Sequence, residues 1–331
     1  MTVLVTGGAG YIGSHMVLEL LDAGESVVVL DNLSTGFAWA VDPRATLVVG
    51  DMGDQGLVET VMRLHGVDAV IHFAARIVVP DSVADPLGYY LANTVKTRAV
   101  MAAAVGAGVR RFIFSSTAAV YGTPEVMPVA EEAPTRPESP YGTSKLITEW
   151  MLRDAAAAHD LSYVVLRYFN VAGADPKGRT GQSTPNATHL IKVAVQTALG
   201  LRAKMDVFGT DYPTPDGTCL RDYIHVTDLV RAHLSALAHL RSGGESLVAN
   251  CGYGHGYSVK EVIDTVRAVT KVDFRADYAP RRPGDAAAVV ADSTRARTRL
   301  GWTPAHDDLT GIVEAAYAWE RRLANGDVGR R

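Results

Sequence analysis

Six short runs in the first half of the chain are dominated by apolar and β-branched residues without alternation: 2–6, 26–30, 46–49, 69–73, 111–115 and 163–168. A strand with one wet face alternates, whereas a strand covered on both faces does not. These runs therefore predict fully buried strands. Between them lie longer stretches of helical length, including 12–22, 57–64, 89–105 and 144–158. Strand–helix repetition with doubly buried strands predicts an α/β fold, a doubly wound parallel sheet.

The texture changes after Asn170. Residues 172–185 are rich in glycine, proline and polar side chains and predict a long loop, a feature that in compact domains usually serves function. Beyond it the pattern predicts a helix at 189–199, short strands at 206–208, 223–226 and 247–250, and helices at 228–240, 259–269 and 308–323. That is a smaller C-terminal α/β lobe. There is no internal repeat, low-complexity tract or polar linker.

Composition narrows the class. A chain of 331 residues suggests two domains at roughly 150 residues each. With 47% hydrophobic and 21% charged residues the chain is an ordinary globular one. A net charge of −4 gives no basic excess to displace counterions from nucleic acid, so no nucleic-acid partner is expected. No apolar run approaches the ~20 residues of a membrane span, and the N-terminus enters a buried strand directly rather than a signal core. Two cysteines, Cys219 and Cys251, cannot form a disulfide framework. A reducing, cytoplasmic setting follows.

The first strand runs into Gly7-Gly8-Ala9-Gly10-Tyr11-Ile12-Gly13 and then a helix. Glycines at 7, 10 and 13 suit a tight turn, a close approach of backbone to a pyrophosphate, and close helix–strand packing. The helix N-terminus presents free N–H groups and a positive dipole end to the phosphates. The second strand leads to Asp31, about 20 residues on, placed to accept from adenosine ribose hydroxyls and to repel a 2′-phosphate. NAD is therefore the expected cofactor. Asp51-Met52 and Phe73-Ala74-Ala75 end the third and fourth strands at the carboxyl edge, where open α/β sheets bind ligands.

Tyr141 and Lys145 are four apart, which places both on one helix face. A phenol with an ordinary pKa near ~10 is a poor base at neutral pH, and a nearby ammonium lowers it. The fifth strand ends Ser115-Ser116-Thr117, three hydroxyls beside the same cleft. The trio Tyr141, Lys145 and Thr117 is the expected catalytic set.

With these features the chain resembles the extended short-chain dehydrogenase/reductase family, and within it the sugar-nucleotide 4-epimerases. The resemblance is carried by 6–15, Asp31-Asn32, Tyr141-x-x-x-Lys145, Arg167-Tyr168-Phe169-Asn170, the 211–218 segment DYPTPDGT and the 221–226 segment RDYIHV. It spans residue 2 to about residue 320. It implies tightly held NAD, proton removal from a sugar 4-hydroxyl by Tyr141, a 4-keto sugar nucleotide, rotation of the sugar, and return of hydride to the opposite face. It implies interconversion of UDP-glucose and UDP-galactose, Lys145 on the nicotinamide ribose, and Thr117 on the sugar O4. Further cofactor contacts implied are Tyr11, Ile12, Asn32, Ser34, Thr35, Gly36, Asn93, Ser115 and Tyr168. Implied substrate contacts are Phe169, Asn170, His189, Leu190, Val207, Phe208, Arg221, Arg282, Asp285 and Val289. Permanently charged, forked Arg221 and Arg282 suit a pyrophosphate, and Asp285 suits ribose hydroxyls. A homodimer through helices 89–105 and 144–158 is implied too. The expected partition is an NAD lobe over 1–170 and a UDP-sugar lobe over 171–331, with some later elements returning to the first.

Three departures from the family pattern stand out. Ile77 occupies a position often held by lysine, with Arg76 one place earlier. Ala92 precedes Asn93 where the family has paired asparagines. Val289 stands where some members have tyrosine, leaving room for an N-acetylated sugar. The 4,6-dehydratases of the same fold need an Asp-Glu pair directly after the strand-end threonine. Here those positions are Ala118 and Ala119, which can transfer no proton. Remaining alternatives are a 4-epimerase of UDP-glucuronate or a UDP-pentose, and a non-catalytic NAD-binding regulator. His72, His225 and His255 show no metal-ligand spacing. Glu131-Glu132 reads as a solvated face, and Arg330-Arg331 as a frayed tail.

Overall fold

The computed structural model describes residues 1–185, 187–282 and 285–329, so the Arg330-Arg331 tail lies outside the described residues. Seven strands form one parallel sheet: β1 (Thr2–Thr6), β2 (Ser26–Asp31), β3 (Thr46–Val49), β4 (Val67–His72), β5 (Arg111–Thr117), β6 (Ser162–Tyr168) and β7 (Leu247–Cys251). Their order is β7-β6-β5-β4-β1-β2-β3. The chain therefore reverses direction of winding between β1 and β4, and the connections leaving their carboxyl ends run to opposite sides of the sheet, leaving a crevice there. That crevice is where this class of sheet binds ligands.

The helices used below are α1 (Tyr11–Asp22), α2 (Gln55–Leu64), α3 (Lys96–Ala107), α4 (Pro140–Ala158), α5 (Leu190–Ala198), α6 (Val226–Arg241), α7 (Val259–Thr270) and α8 (Leu309–Ala324). Met16, Val17 and Leu20 of α1 share one core with Val230 and Leu237 of α6. Val58 and Met62 of α2 share the core on the opposite face with Val100 of α3 and Leu152 of α4. Both faces are thus covered, which is why the strands carry no polar alternation. Helices α5, α7 and α8 pack on one another in the second lobe. The strand at 247–251 and helix α6 belong to the first sheet although they follow residue 170.

Several boundaries differ from expectation for local reasons. Helix α4 begins at Pro140, not 144, because Ser139 caps it by accepting from Gly142 N at 3.2 Å and Pro140 suits the first helical position. The single helix expected over 89–105 is broken. A short helix Pro86–Tyr90 follows an Asp85 cap, a π-turn spans Leu91–Val95, and α3 follows. The Glu131-Glu132 pair is not a solvated face. Glu131 is only 5% exposed and accepts from Asn250 N at 2.8 Å, whereas Glu132 lies outside and pairs with Arg295.

Four histidines are buried in neutral roles. His72 sits between the Thr6 and Thr97 hydroxyls, and His233 between Ser115 Oγ and Leu229 O. His15 bonds Tyr11 O, and His225 Nδ1 accepts from Thr227 N. Burial pushes all four down, His15 and His233 to about 4, His72 and His225 to about 3. The unfolded chain takes up these protons below its ordinary pKa near ~6.5, and the folded chain does not. Stability should therefore fall as pH drops from about 6.5, before carboxylates titrate. Denaturant midpoints measured between pH 7.5 and 4.5 check this; a flat profile down to pH ~4.5 would contradict it.

Candidate active site

The floor of the crevice is the turn after β1. Gly7 has φ +72°, and a Cβ there would meet Ala74 N at 2.7 Å; one on Gly13 would meet Gly7 O at 2.1 Å. The glycines let the turn, the end of β4 and the start of α1 come together. No side chain caps α1, whose first turn is Tyr11, Ile12 and Gly13. Its leading N–H groups are left for an acceptor that a ligand brings. Gly10 and Thr35 line one open pocket. Asp31 accepts from Ala9 N at 2.9 Å and Leu33 N at 2.8 Å. Each carboxylate oxygen keeps a further lone pair for a ribose hydroxyl. Gly36 lies against Ala9, and Asn32 and Ser34 stand exposed beside it. An uncapped helix end beside a carboxylate fits NAD.

The side walls are more selective than the sequence suggests. Asp51 is paired with Lys96 and accepts from Gly53 N, while Met52 packs against the core under α2. Phe73 stacks near His233, 4.8 Å between centroids, and Ala74 and Ala75 follow it at the rim. Arg76 does not take the place of the missing lysine. Its guanidinium bonds Asp85 at 2.7 Å and lies over the Tyr89 ring, pointing to the surface, where Ile77 is also exposed. Asn93 is buried at the wall of the crevice. Its amide donates to Arg76 O and Ser144 Oγ and accepts from Arg76 N, so it braces β4's exit against α4.

The strand-end hydroxyls also divide. Ser115 Oγ turns inward to His233, and Ser116 Oγ donates to Glu149 at 2.5 Å. Thr117 is the strand-end hydroxyl near enough to Tyr141 to draw its phenol down, and its Oγ1 accepts from Ala119 N at 3.1 Å. Ser115 enters through its backbone: Lys145 Nζ donates to Ser115 O at 2.9 Å and lies over the Phe114 ring. Burial pushes the Tyr141 phenol up to about 12, with the Thr117 hydroxyl acting against it. Burial pushes Lys145 down to about 7, opposed by the negative charge of Glu149. The expected lowering of Tyr141 by an adjacent ammonium is not what the protein alone achieves. Lys145 is engaged with Ser115 O, and desolvation dominates both groups. Burial also pushes Tyr168 well above the phenol range.

The second lobe closes the other side. Phe169 and Val289 pack in one small cluster with Val120 and Leu146. Asn170, His189 and Leu190 line an open pocket with Gln182, Lys192 and Glu320. His189 Nδ1 bonds Gln182 Nε2 at 2.8 Å, and Lys192 Nζ donates to Glu320 and to Gln182 O. Val207 is buried beneath, and Phe208 carries the Arg282 guanidinium over its ring at 4.6 Å. Asp285 takes Arg282 Nε at 3.0 Å and stands 3.7 Å from Arg221 Nη2. Arg221 is held by Leu220 O and Ala286 O, so its free edge is directed rather than solvated. Sequence reasoning passed over Glu149, one turn beyond Lys145; the 141–145–149 spacing was the available signal. It passed over Gln182, Lys192 and Glu320, which no local pattern joins.

A glycine-turn helix end, a carboxylate at the end of β2 and a buried Tyr–Lys pair beside a threonine hydroxyl are the features of a dinucleotide-dependent enzyme of the short-chain dehydrogenase/reductase class. The match of residues 3–252 to the NAD dependent epimerase/dehydratase family places the chain in that family. NAD is its cofactor. The chain is 59% identical over 321 residues to the UDP-glucose 4-epimerase of Azospirillum brasilense, covering 97% of this chain and 92% of that one. A Stenotrophomonas maltophila UDP-glucose-4-epimerase solved with NAD and formylated UDP-arabinopyranose superposes with TM-score 0.95 at 40% identity, covering 98% and 99%. A Campylobacter jejuni UDP-Glc/GlcNAc 4-epimerase matches with TM-score 0.86 at 45% identity, covering 97% and 99%.

Proposed function

We propose that the protein interconverts UDP-glucose and UDP-galactose at C4 of the sugar. The observation that carries this is the buried Tyr141 beside the Thr117 hydroxyl at the carboxyl end of β5, together with Arg221 and Arg282 converging on Asp285 in the second lobe. The turn at Gly7–Gly13 and Asp31 would hold NAD, which would supply a reversible hydride acceptor for C4 and a cationic ring favouring the tyrosinate. Tyr141 Oη takes the proton of the substrate O4 and later gives it back. Thr117 Oγ1 orients that O4 and shares its hydrogen bond. Lys145 fixes the geometry through Ser115 O and supplies positive charge below Tyr141. Arg221 and Arg282 carry the pyrophosphate charge, Asp285 the ribose hydroxyls, and Phe208 and Val207 the base. Purified protein given UDP-galactose and no added reductant should form UDP-glucose; absence of product defeats the reading.

Val289 is half-buried beside Phe169 and offers no phenol ring to crowd the sugar 2-substituent. The Campylobacter relative is named for both UDP-Glc and UDP-GlcNAc. Both support turnover of UDP-N-acetylglucosamine by the same site. If that turnover is undetectable while UDP-glucose is epimerised readily, the wider specificity falls.

The working partition is a cofactor lobe over 1–170 and a sugar-nucleotide lobe over 171–331, with 226–251 returned to the first sheet. The partner is a second copy of this chain. Val83, Leu87, Leu91 and Val95 recur every four residues, and all are exposed, as is Trp150 on adjacent α4. Such a stripe suits two-fold helix packing, and a solution mass of one chain contradicts it. Among the described residues no helix is long and apolar enough to cross a membrane. Two unpaired, buried cysteines support a cytoplasmic setting.

A further inference from the structure

We propose that the segment from Gly173 to Thr184 is a clasp that retains the dinucleotide. This rests on the cofactor reading above and adds a wall to that site. The segment is braced on itself: Ala174 bridges to Gly181, Asp175 N donates to Thr180 O at 3.1 Å, and Arg179 forks onto Asp175 at 2.9 and 2.8 Å. It moves, if at all, as one piece.

It is fastened along α1 at three levels. At the phosphate-facing turn, Tyr11 Oη donates to Gly173 O at 2.7 Å. One turn on, the buried Ser14 and Thr180 hydroxyls bond at 2.8 Å. At the far end Arg179 Nη1 donates to Asp22 at 2.7 Å. On its outer side Trp319 Nε1 donates to Ser183 Oγ at 3.2 Å, and Arg322 donates to Gly178 O. The Gly181 backbone lies against the Trp319 ring, where a Cβ would come within 2.4 Å.

The position gives the clasp its role. Gly181, Ser183 and Thr184 line one open pocket with Gly10, Tyr11 and Thr35 at the mouth of the phosphate turn. A helix N-terminus binds phosphate, and nothing in it makes release slow. The proposed reaction removes a hydride and returns it to the same molecule, so loss of the reduced cofactor in mid-cycle strands an oxidised sugar. A covering segment tied to α1 supplies the slow exit that this chemistry needs, because residence time is set by the dissociation step.

The test uses NAD-loaded enzyme and two substitutions away from the reacting atoms, Arg179→Gln and the near-isosteric Thr180→Val. Loaded protein is mixed with excess labelled NAD and its exchange followed. The double variant should exchange about tenfold faster or more, the factor for each 1.4 kcal/mol or so of lost fastening, with turnover at saturating NAD unchanged. Thr180→Val alone should shift exchange in the same direction. Unchanged exchange in folded, loaded variants overturns the clasp alone. A loss of turnover without faster exchange assigns these residues to the reaction and also overturns it. Wild-type protein that takes up no NAD overturns the cofactor reading itself.

Discussion

Replacing Tyr141 with phenylalanine should lower turnover by about 10²–10⁴-fold, the range for removing a positioned acid–base group, while folding and NAD content stay as they are. The ring is buried and phenylalanine fills the same space, so no cavity opens. What disappears is the α4 phenol assigned to take the proton from the substrate O4. Thr117 remains, but an aliphatic hydroxyl is a far weaker acid than a phenol. The electrostatics sharpen the expectation. With Tyr141 pushed up to about 12 and Lys145 down to about 7, the protein alone holds a neutral phenol at neutral pH. Tyr141 can therefore take the O4 proton only after losing its own, a loss that the cationic ring of bound NAD would favour. Thr117→Val should cost less, since it removes a hydrogen bond rather than the proton carrier. Steady-state kcat with UDP-galactose, alongside NAD released on denaturation, checks both. A Tyr141→Phe enzyme within tenfold of wild type would remove Tyr141 from the mechanism.

What was legible in the chain was what local spacing encodes. The glycines at 7, 10 and 13 could be read because each answers a short-range demand within one turn of chain, and the structure shows their backbones in contact with their neighbours. Tyr141 and Lys145 could be read because four residues on a helix is one face. Direction was less legible. Arg76 follows a ligand-binding strand end, yet Asp85 and the Tyr89 ring, nine and thirteen residues on, draw it outward. Ser115, Ser116 and Thr117 look equivalent in sequence. The strand alternates its side chains, and His233 and Glu149 from different helices claim the first two. Glu131 reads as solvated for the same reason: its partner, Asn250, lies far away in sequence.

The largest effect on stability should come from Glu149, which bears on the site from below. Its carboxylate is 6% exposed, and it receives Arg167 Nη2 at 2.6 Å and Ser116 Oγ at 2.5 Å. Arg167, 7% exposed, also donates to Tyr121 Oη at 2.9 Å, which in turn donates to Asn250 Oδ1 at 2.7 Å. Glu149→Leu leaves the Arg167 guanidinium buried with no counter-charge, an error that costs about 3–5 kcal/mol. Arg167 cannot shed its proton, so it must be hydrated or the core must open. Removing both charges with Glu149→Leu and Arg167→Met should destabilise less than Glu149→Leu alone, because the stranded charge is gone. Urea titrations of the two single variants, the pair and the wild type measure this coupling. Equal costs for Glu149→Leu and the double variant would show that packing, not charge, holds the network. Glu149→Gln separates stability from chemistry. It keeps the shape and some hydrogen bonds but withdraws the negative charge that opposes Lys145's burial. Lys145 should then lose its proton at lower pH, so the alkaline limb of kcat should move downward even where the variant is fully folded. An unmoved limb would confine Glu149 to the architecture.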